Sequence, residues 1–478
     1  MGHTYLVIGG GISGLSAAWA VLQADPTADV TVLESSPVLG GKIASGQVAG
    51  VALDTGAESL LARRPEGLQL LDELDLSGEV VHPQTSQAAL WSRGMLHPLP
   101  GGTVMGIPGD PSSLFPLLSA SEISRALDER TGDPAPGQDV SVGDFVAARL
   151  GDAVVDRMIE PLLGGVYAGH AREISLAAAL PTMLPAYQDG SSLLTAVRAA
   201  LPAPVPTGAV RPPVFAGLEG GVHRLIAALA EALRDHGSQI HLGVTAREVR
   251  RRPVESGGGF DVVTGPQPAP SVWHADRVIL ATPPAPSARL LRGVVPRAAD
   301  VLAGIEMASM AIVTMALPAD RAPTLVGSGV LVPPTEGLRV KASTFSGNKW
   351  DWVRRRGETN DERTVFVRAS IGRHREEVDL QRSDDELVEA VRDDLARLVG
   401  QSVPVPLDAH VQRWGGALPQ YAVGHLERVA VLQREVSAVP GLAVCGAAYN
   451  GVGIPACIAS GRSAAAQVCP AQWPHDHP

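Results

Sequence analysis

The chain has 478 residues, 45% of them hydrophobic and 19% charged, which is the composition of a globular protein large enough for two or three domains. Its 39 Lys and Arg residues against 50 Asp and Glu residues give a formal net charge of -11, so nucleic acid and anionic membranes are poor partners. No apolar stretch reaches the roughly 20 residues of a membrane span, and the N-terminus lacks a signal-peptide pattern. We therefore expect no membrane span and a cytoplasmic location.

The cysteines give no evidence for a metal or disulfide framework. Cys445, Cys457 and Cys469 are evenly spaced, in a pattern that matches no zinc or redox motif. An odd number of cysteines argues against a disulfide framework and fits a reducing compartment. The histidines also lack ligand spacing, so we expect no metal site.

The N-terminal residues contain a nucleotide-binding pattern. The apolar run Tyr5–Ile8 predicts a short buried strand, and Gly9-x-Gly11-x-x-Gly14 follows it directly. The small and apolar residues after the glycines suit a helix packed on a sheet. In such a unit the first glycine allows a tight turn, the second lets a pyrophosphate approach the backbone, and the third lets helix and strand pack closely.

A second predicted strand, Val30–Leu33, ends at Glu34, where a carboxylate can accept a hydrogen bond from a ribose hydroxyl. Strand, glycines, helix, strand and acid thus occur in the order that a dinucleotide unit requires. The predicted cofactor contacts in this unit are Gly9, Gly10, Gly11, Ile12, Ser13, Gly14, Glu34 and Ser35.

Two further segments extend this unit. Gly40-Gly41-Lys42 and Asp54–Glu58 together resemble the N-terminal signature of the two-dinucleotide-domain flavoproteins of the amine oxidase and protoporphyrinogen oxidase superfamily. The resemblance implies that both segments line FAD. Lys42 stands where that family more often has arginine, so it supplies a cation without the planar fork. The implied contacts are Gly41, Lys42, Gly56, Ala57, Glu58 and Ser59.

The resemblance also implies an α/β (α+β) fold, with a Rossmann-like FAD-binding domain, a mixed-sheet substrate domain and a helical insertion. The chain is expected to build the FAD domain from residues 1–82, 214–285 and 406–470. Residues 83–213 would form the largely helical insertion and residues 286–405 the mixed sheet. Near the return to the FAD domain, alignment with the family places Ala246 where a backbone contact with adenine is usual.

The C-terminal region carries a second glycine-rich turn. Pro440–Gly446 predicts a strand that leads into a turn, and Asn450–Pro455 opens a helix. Free N–H groups at a helix N-terminus suit the pyrimidine edge of a flavin, where reduction places negative charge. The predicted contacts of this region are Trp414, Gly446, Val452, Gly453, Ile454 and Pro455.

Four segments narrow the resemblance to the porphyrinogen oxidases of haem biosynthesis. These segments are Glu160–Gly169, Thr344–Trp350, Leu418–Tyr421 and Gly451–Pro455, and matches extend over nearly the whole chain. The resemblance implies a noncovalent FAD and the oxidation of a porphyrinogen to a porphyrin, with six electrons removed in three two-electron steps. Dioxygen would reoxidise the flavin and give hydrogen peroxide. Hydride transfer needs alignment more than acid–base groups, and no catalytic side chain is identified.

In the family that the sequence resembles, enzymes acting on the more apolar protoporphyrinogen IX are typically membrane-associated. The absence of apolar anchoring stretches and the net charge of -11 therefore favour coproporphyrinogen III. Four propionates call for cations in the cavity. The predicted substrate contacts are Arg63, Arg64, Gly169, Lys341 and Lys349. Protoporphyrinogen oxidation, an FAD amine or carotenoid oxidoreductase, and a noncatalytic flavin- or porphyrin-binding protein remain alternatives. Transient contact with the next enzyme of haem biosynthesis is also expected.

Overall fold

A parallel sheet organises the N-terminal unit in the computed structural model, which describes residues 2–203, 212–359 and 362–469. Its strand order is Gln239–His241, Asp29–Leu33, Thr4–Ile8, Arg277–Leu280 and Leu442–Val444. The strand Thr4–Ile8 pairs on both sides with parallel neighbours and is almost wholly buried, as an apolar central strand should be. The predicted strand–helix–strand order and the α/β fold class are therefore confirmed.

Two helices from opposite ends of the sequence pack together on this sheet. The first helix, Ile12–Ala24, and the last helix, Ile454–Val468, share one hydrophobic core with the helix His223–Asp235. Gly461 lies at their contact, because a Cβ atom there would overlap the carbonyl oxygen of Ser13. The N-terminal and C-terminal segments thus form one unit.

A larger mixed sheet stands beside the parallel sheet. Its strand order is Asp408–Pro419, Met307–Pro318, Thr364–Ile371, Val340–Phe345, Gly329–Leu331, Ala88–Ser92 and Met95–Pro98. All neighbours are antiparallel except the pair Gly329–Leu331 and Ala88–Ser92. The strand Asp408–Pro419 and the hairpin 88–98 belong to this sheet, although the predicted ranges place them in other domains. The division into domains stays a prediction.

One face of the mixed sheet is covered by the helix Asp384–Val399. Alternate residues of the central strands, such as Val313 and Val367, form a buried core with Leu387 and Leu395 of that helix. The helix begins with a capping box at Ser383 and carries acidic residues in its first turn, which favours its start there. Because side chains alternate along a strand, the remaining residues face the other way, towards the nucleotide unit.

The helical insertion has a core of its own. Leu90 and Leu331 of the mixed sheet pack into this core, so the insertion covers one end of the sheet. Residues 204–211 of its predicted range lie outside the described residues. Its helices are Ala120–Leu127, Val142–Leu150, Asp152–Val154, Glu160–Tyr167, Leu176–Ala179, Leu184–Gln188 and Leu193–Ala200, with a π-helical turn at Val155–Ile159.

The other strands form small sheets at the edges of these layers: Ser45–Val48 with Val51–Asp54, Leu60–Leu61 and Val80–Val81 with Phe215–Leu218, Thr103–Val104 with Ile107–Pro108, and Ala246–Arg251 with Phe260–Thr264 and Ser271–Ala275. The other helices are Pro65–Glu73, Pro284–Leu291, Pro296–Ala303, Ser346–Lys349, Asp351–Glu358 and His425–Ser437. Among the helices of the described residues, none is long and apolar enough to cross a membrane.

Replacing Gly461 with alanine tests the contact between the first and last helices. Helix propensity alone would stabilise the variant by about 1 kcal/mol, but overpacking costs about 1–3 kcal/mol. We expect a net loss of about 1 kcal/mol, seen as a lower melting temperature by circular dichroism. Ala466→Ser, on the exposed side of the same helix, should lose only about 0.5 kcal/mol, because serine has a lower helix propensity than alanine. A Gly461→Ala variant that melts higher would contradict the close packing.

Candidate functional site

The first glycine turn is closely packed against its surroundings. Gly9 has a φ of +118°, and a Cβ atom there would lie 2.8 Å from the Ala281 oxygen. A Cβ at Gly10 would lie 2.5 Å from Leu39 Cδ2, and one at Gly14 would overlap the Gly9 oxygen. The turn and the close approach of helix and strand therefore require these glycines.

Gly11 differs from the other glycines of the motif. The nearest atom that a Cβ at this position would meet is the Gly40 oxygen, 4.0 Å away. Gly11 is also the N-cap of the first helix, and no side chain caps that end. Open space at Gly11, in front of free backbone N–H groups, fits the phosphate contact predicted from the sequence.

Glu34 lies beside this turn, directly after the strand Asp29–Leu33. Its Oε2 accepts a hydrogen bond from the Gly10 N–H at 2.6 Å, and its Oε1 accepts one from the Ser36 N–H at 2.6 Å. Val244 N–H donates to the Glu34 carbonyl oxygen, which brings the segment just before Ala246 to the same edge. The arrangement is compatible with the predicted contacts to ribose and adenine.

Lys42 supplies a cation close to the turn. The Gly40 N–H donates to the Gly10 oxygen at 2.9 Å. Gly41, which directly precedes Lys42, lies beside Gly11. Burial lowers the pKa of Lys42. Within the described residues, no carboxylate forms an ion pair with Lys42, and this fits a bound anion such as the pyrophosphate of a dinucleotide.

The last helix brings a second N-terminus to the site. Gly453 is its N-cap, no side chain caps it, and Pro455 lies in its first turn. Such a helix end leaves N–H groups free for an acceptor, as the flavin prediction requires. Gly446 precedes this turn, and its N–H donates to Ser460 Oγ at 3.0 Å.

Tyr421 fixes the turn before the last helix. Its hydroxyl accepts a hydrogen bond from the Gly451 N–H at 2.8 Å and donates to the Ala447 oxygen at 2.5 Å. His425 stacks on the Tyr421 ring with 4.0 Å between the centroids. Burial lowers the pKa of His425 to about 4, so the imidazole is neutral at pH 7. A rigid aromatic pair thus supports the glycine-rich segment.

A buried ion cluster joins the nucleotide unit to the mixed sheet. Glu58 forms an ion pair with Lys349 at 2.7 Å and another with Arg368, which also donates to the Gly56 oxygen. Burial by itself would raise the pKa of Glu58, but Lys349 and Arg368 outweigh it and lower this pKa to about 2. The predicted flavin segment 56–58 is therefore held by two cations from the mixed sheet and the short helix that follows it.

The middle of the mixed sheet is uncovered on the side of the nucleotide unit. In the described part of the chain, the partly buried residues there belong to no hydrophobic core. We call them the cavity face: Met310, Ile312, Ala342, Thr344, Ser370 and Trp414. Gly165 and Val166 are exposed on the helix Glu160–Tyr167, and a Cβ atom at Gly165 would lie 3.8 Å from Leu331 of the mixed sheet.

The structure separates the predicted substrate contacts. Arg64 pairs with Glu66 at 2.6 Å, and Lys349 is held by Glu58. A Cβ at Gly169 would overlap the Gln420 side chain, so packing alone accounts for this glycine. Arg63 is exposed beside Arg64, and Lys341 is buried in the mixed sheet. No ion pair or hydrogen bond among the described residues joins any two of these five.

Arg368 is the site residue that the sequence interpretation missed. It lies in the apolar strand Thr364–Ile371 and is 8% exposed. A charge inside a buried strand requires a partner, which was a usable signal. The partner, Glu58, is distant in the sequence, so only the fold identifies it. In the described residues, no three His, Cys, Asp or Glu side chains are placed to hold a metal ion.

Comparison with known proteins identifies the family. The model of the family described as flavin containing amine oxidoreductase matches residues 12–469. The chain belongs to the flavin-containing amine oxidoreductase family. FAD is therefore its cofactor, as the sequence predicts, and noncovalent binding is typical of this family. The open space at Gly11, the two free helix ends and Lys42 fit such a cofactor.

Among flavin-containing amine oxidoreductases, the chain is similar to porphyrinogen oxidases. It is 39% identical to a coproporphyrinogen III oxidase of Mycobacterium tuberculosis, over 96% of both chains. It is 29% identical to the human protoporphyrinogen oxidase, over 98% of both chains. A solved structure of a proposed protoporphyrinogen oxidase from Exiguobacterium sp. 255-15 matches with a TM-score of 0.83 and 31% identity, over 98% of this chain and 99% of that one. The resemblance predicted from the sequence is confirmed.

Gly11→Val should abolish retention of FAD without unfolding the protein. A Cβ atom at this position comes no closer than 4.0 Å to another protein atom, so we expect the added side chain to enter the space for the pyrophosphate. We expect FAD affinity to fall by at least about tenfold, measured as the flavin-to-protein absorbance ratio, with an unchanged far-ultraviolet circular dichroism spectrum. Gly14→Val, which overlaps the Gly9 oxygen, should lose both flavin and fold. Full flavin content in Gly11→Val would refute the placement.

Glu58→Gln should destabilise the protein, because it leaves Lys349 and Arg368 without their counter-ion. Breaking a buried pair in this way costs about 3–5 kcal/mol. The low pKa of Glu58 means that its contribution is complete above its ordinary value of 4.5 and is lost as the pH falls towards 2. The melting temperature of the wild type should therefore drop more steeply below pH 4.5 than that of Glu58→Gln. The exposed Glu389 provides the control Glu389→Gln, for which we expect wild-type behaviour.

Proposed function

We propose that this protein oxidises coproporphyrinogen III to coproporphyrin III, with FAD as cofactor and dioxygen as acceptor, in a late step of haem biosynthesis. The observation that carries the proposal is the 39% identity, over nearly the whole chain, to a coproporphyrinogen III oxidase. A cytoplasmic location and transient contact with the next enzyme of the pathway stay predictions.

The cleft supports this activity by its shape and its charge. When bound, FAD would supply a two-electron acceptor for the substrate, and dioxygen would reoxidise it with hydrogen peroxide as product. The cavity face consists of uncharged side chains, with the flat ring of Trp414 beside Met310, and it suits an apolar macrocycle. A hydride donor and its acceptor need close alignment, and a wall fixed by sheet hydrogen bonds provides it.

The remaining predicted cofactor contacts fit into this arrangement. Ile12 and Ser13 begin the first helix, Ser35 donates to Glu34, and Ala57 N–H donates to the Lys42 oxygen. Ser59 follows the ion-paired Glu58, and Val452 and Ile454 flank the N-cap of the last helix. We propose that these residues, with those described above, surround the flavin.

Protoporphyrinogen IX is the second candidate substrate. The human relative and the Exiguobacterium structure support it, since both carry the name protoporphyrinogen oxidase. The two substrates differ in their number of carboxylates. The preference of the protein for one of them therefore depends on cations near the cleft. The chain offers such a cation in Lys341.

Parallel assays separate these functions. The purified yellow protein should convert coproporphyrinogen III to a fluorescent porphyrin and release about three hydrogen peroxide molecules per porphyrin, because each two-electron step gives one. Protoporphyrinogen IX should have a lower kcat/KM, and an amine or a polyene should not react. Equal or greater activity on protoporphyrinogen IX would select the second candidate. Porphyrin binding without peroxide would indicate a carrier protein.

A further inference from the structure

Lys341 is a buried amine directly behind the cavity face. It lies at a bulge between Val340 and Ala342, where the pairing with the neighbouring strand shifts, and it is 4% exposed. Its Nζ donates to the Gly372 oxygen at 2.8 Å and lies 3.8 Å from Met310 Sδ. Because Met310 belongs to the cavity face, a small displacement of its flexible side chain opens the ammonium group to the cleft.

No anionic side chain balances Lys341. Within the described residues no carboxylate lies within ion-pair distance of its Nζ, and the charged group that acts on it most is another cation, Arg373. Burial and then Arg373 lower the pKa of Lys341 to about 7. A buried ammonium that faces a carbonyl and a thioether is only partly compensated for the loss of water.

Arg373 is buried in the same wall. It is 5% exposed, and its Nη2 donates to the Val332 oxygen at 2.9 Å. Its nearest carboxylate, Glu376, is 3.8 Å away and half exposed. Burial lowers the pKa of Arg373, and the nearby carboxylates of Glu376 and Glu160 oppose this shift. Arg373 therefore has anionic neighbours, whereas Lys341 forms no ion pair within the described residues.

The carboxylates around this wall contact histidines and arginines, including Arg373. Glu173 and Glu306 both contact His374 and Arg375. Glu160 accepts from the Ala171 N–H and faces His170, which also contacts Glu376. The charged and titratable groups that face Lys341 and Arg373 from the neighbouring elements are Glu160, His170, Glu173, Glu306, His374, Arg375 and Glu376. None of them forms an ion pair with Lys341.

We propose that Lys341, with Arg373 beside it, binds one carboxylate of the porphyrinogen substrate. The proposal rests on the proposed function, because that substrate brings carboxylates on flexible arms into the cleft. A macrocycle against the cavity face places an arm at the Met310 end, where a carboxylate can replace the thioether as partner of the Lys341 ammonium. A substrate with more carboxylates has more ways to fill this position, which favours coproporphyrinogen III.

Carboxylate binding at Lys341 changes the number of protons that the protein holds. An anion beside the amine stabilises its charged form and raises the pKa of Lys341 above its value of about 7 in the free protein. At pH 8 much of the free amine is neutral, so binding takes up a proton. Affinity for a carboxylate ligand should therefore fall as the pH rises above 7.

The test is the binding of coproporphyrin III, the proposed product, to the FAD-loaded wild type and to Lys341→Met, measured by fluorescence quenching. Loss of a charge-assisted hydrogen bond should weaken binding by about 10- to 100-fold in Lys341→Met. The tetramethyl ester of coproporphyrin, which has no carboxylate, should bind both proteins equally. Lys341→Arg should retain most of the affinity, because it keeps the cation.

Arg339→Met is the matched control. Arg339 lies two positions before Lys341, directly ahead of the strand Val340–Phe345, but its guanidinium is half exposed and pairs with Asp379 at 3.2 Å. This variant should bind coproporphyrin III as the wild type does. Proton uptake at pH 8, measured by calorimetry in buffers of different ionisation enthalpy, should occur with the wild type and Arg339→Met and disappear in Lys341→Met.

Two results would overturn the proposal: unchanged coproporphyrin III binding by Lys341→Met, or equal weakening for the acid and the ester, which indicates a role in packing. Flavin content and melting temperature show that the variant is folded, and removal of an uncompensated buried charge should not lower stability. The oxidation assay on the wild type is independent. If the wild type oxidises coproporphyrinogen III and Lys341→Met binds the product normally, this inference fails while the proposed function stands.

Discussion

The ion cluster of Glu58, Lys349 and Arg368 is the interaction on which the cleft depends. It is the charged link between the nucleotide segment and the mixed sheet at the level of the cofactor. Removing these charges from water is unfavourable, and the cost is offset only while all of them stay together. A shift of the sheet relative to the nucleotide unit would separate them. The cluster therefore fixes the position of the cavity face over the flavin site.

The free-energy cost of removing charges from water also explains why the wall of the cleft is uncharged and has cations behind it. The macrocycle of the proposed porphyrinogen substrate is largely apolar, and uncharged side chains such as Ile312 and Trp414 on the cavity face suit it. The carboxylates are at the ends of its arms, so cations are useful only where the arms reach. Lys341 occupies such a position, behind Met310. Shape and charge are thus assigned to different layers of one sheet.

The two predicted flavin-binding turns, one near each end of the chain, belong to one packed unit. The first and last helices pack so closely that Gly461 cannot carry a side chain without displacing Ser13, and both helices begin at the cleft. Tyr421 holds the turn before the last helix through two hydrogen bonds and packs into the core of the helical insertion. The predicted cofactor site therefore combines segments from both ends of the chain with support from the helical insertion.

The sequence by itself determined the nucleotide unit, the cofactor and the family, because the glycines of the N-terminal motif and Glu34 act through local backbone geometry. Through the family resemblance it also predicted a mixed sheet within residues 286–405. It did not assign the strand Asp408–Pro419 or the hairpin 88–98 to that sheet, because strand pairing is a long-range property. It predicted Lys349 as a substrate contact but not the ion pair of Lys349 with Glu58. Only the tertiary structure decides which cations have a partner, because the partners lie hundreds of residues apart.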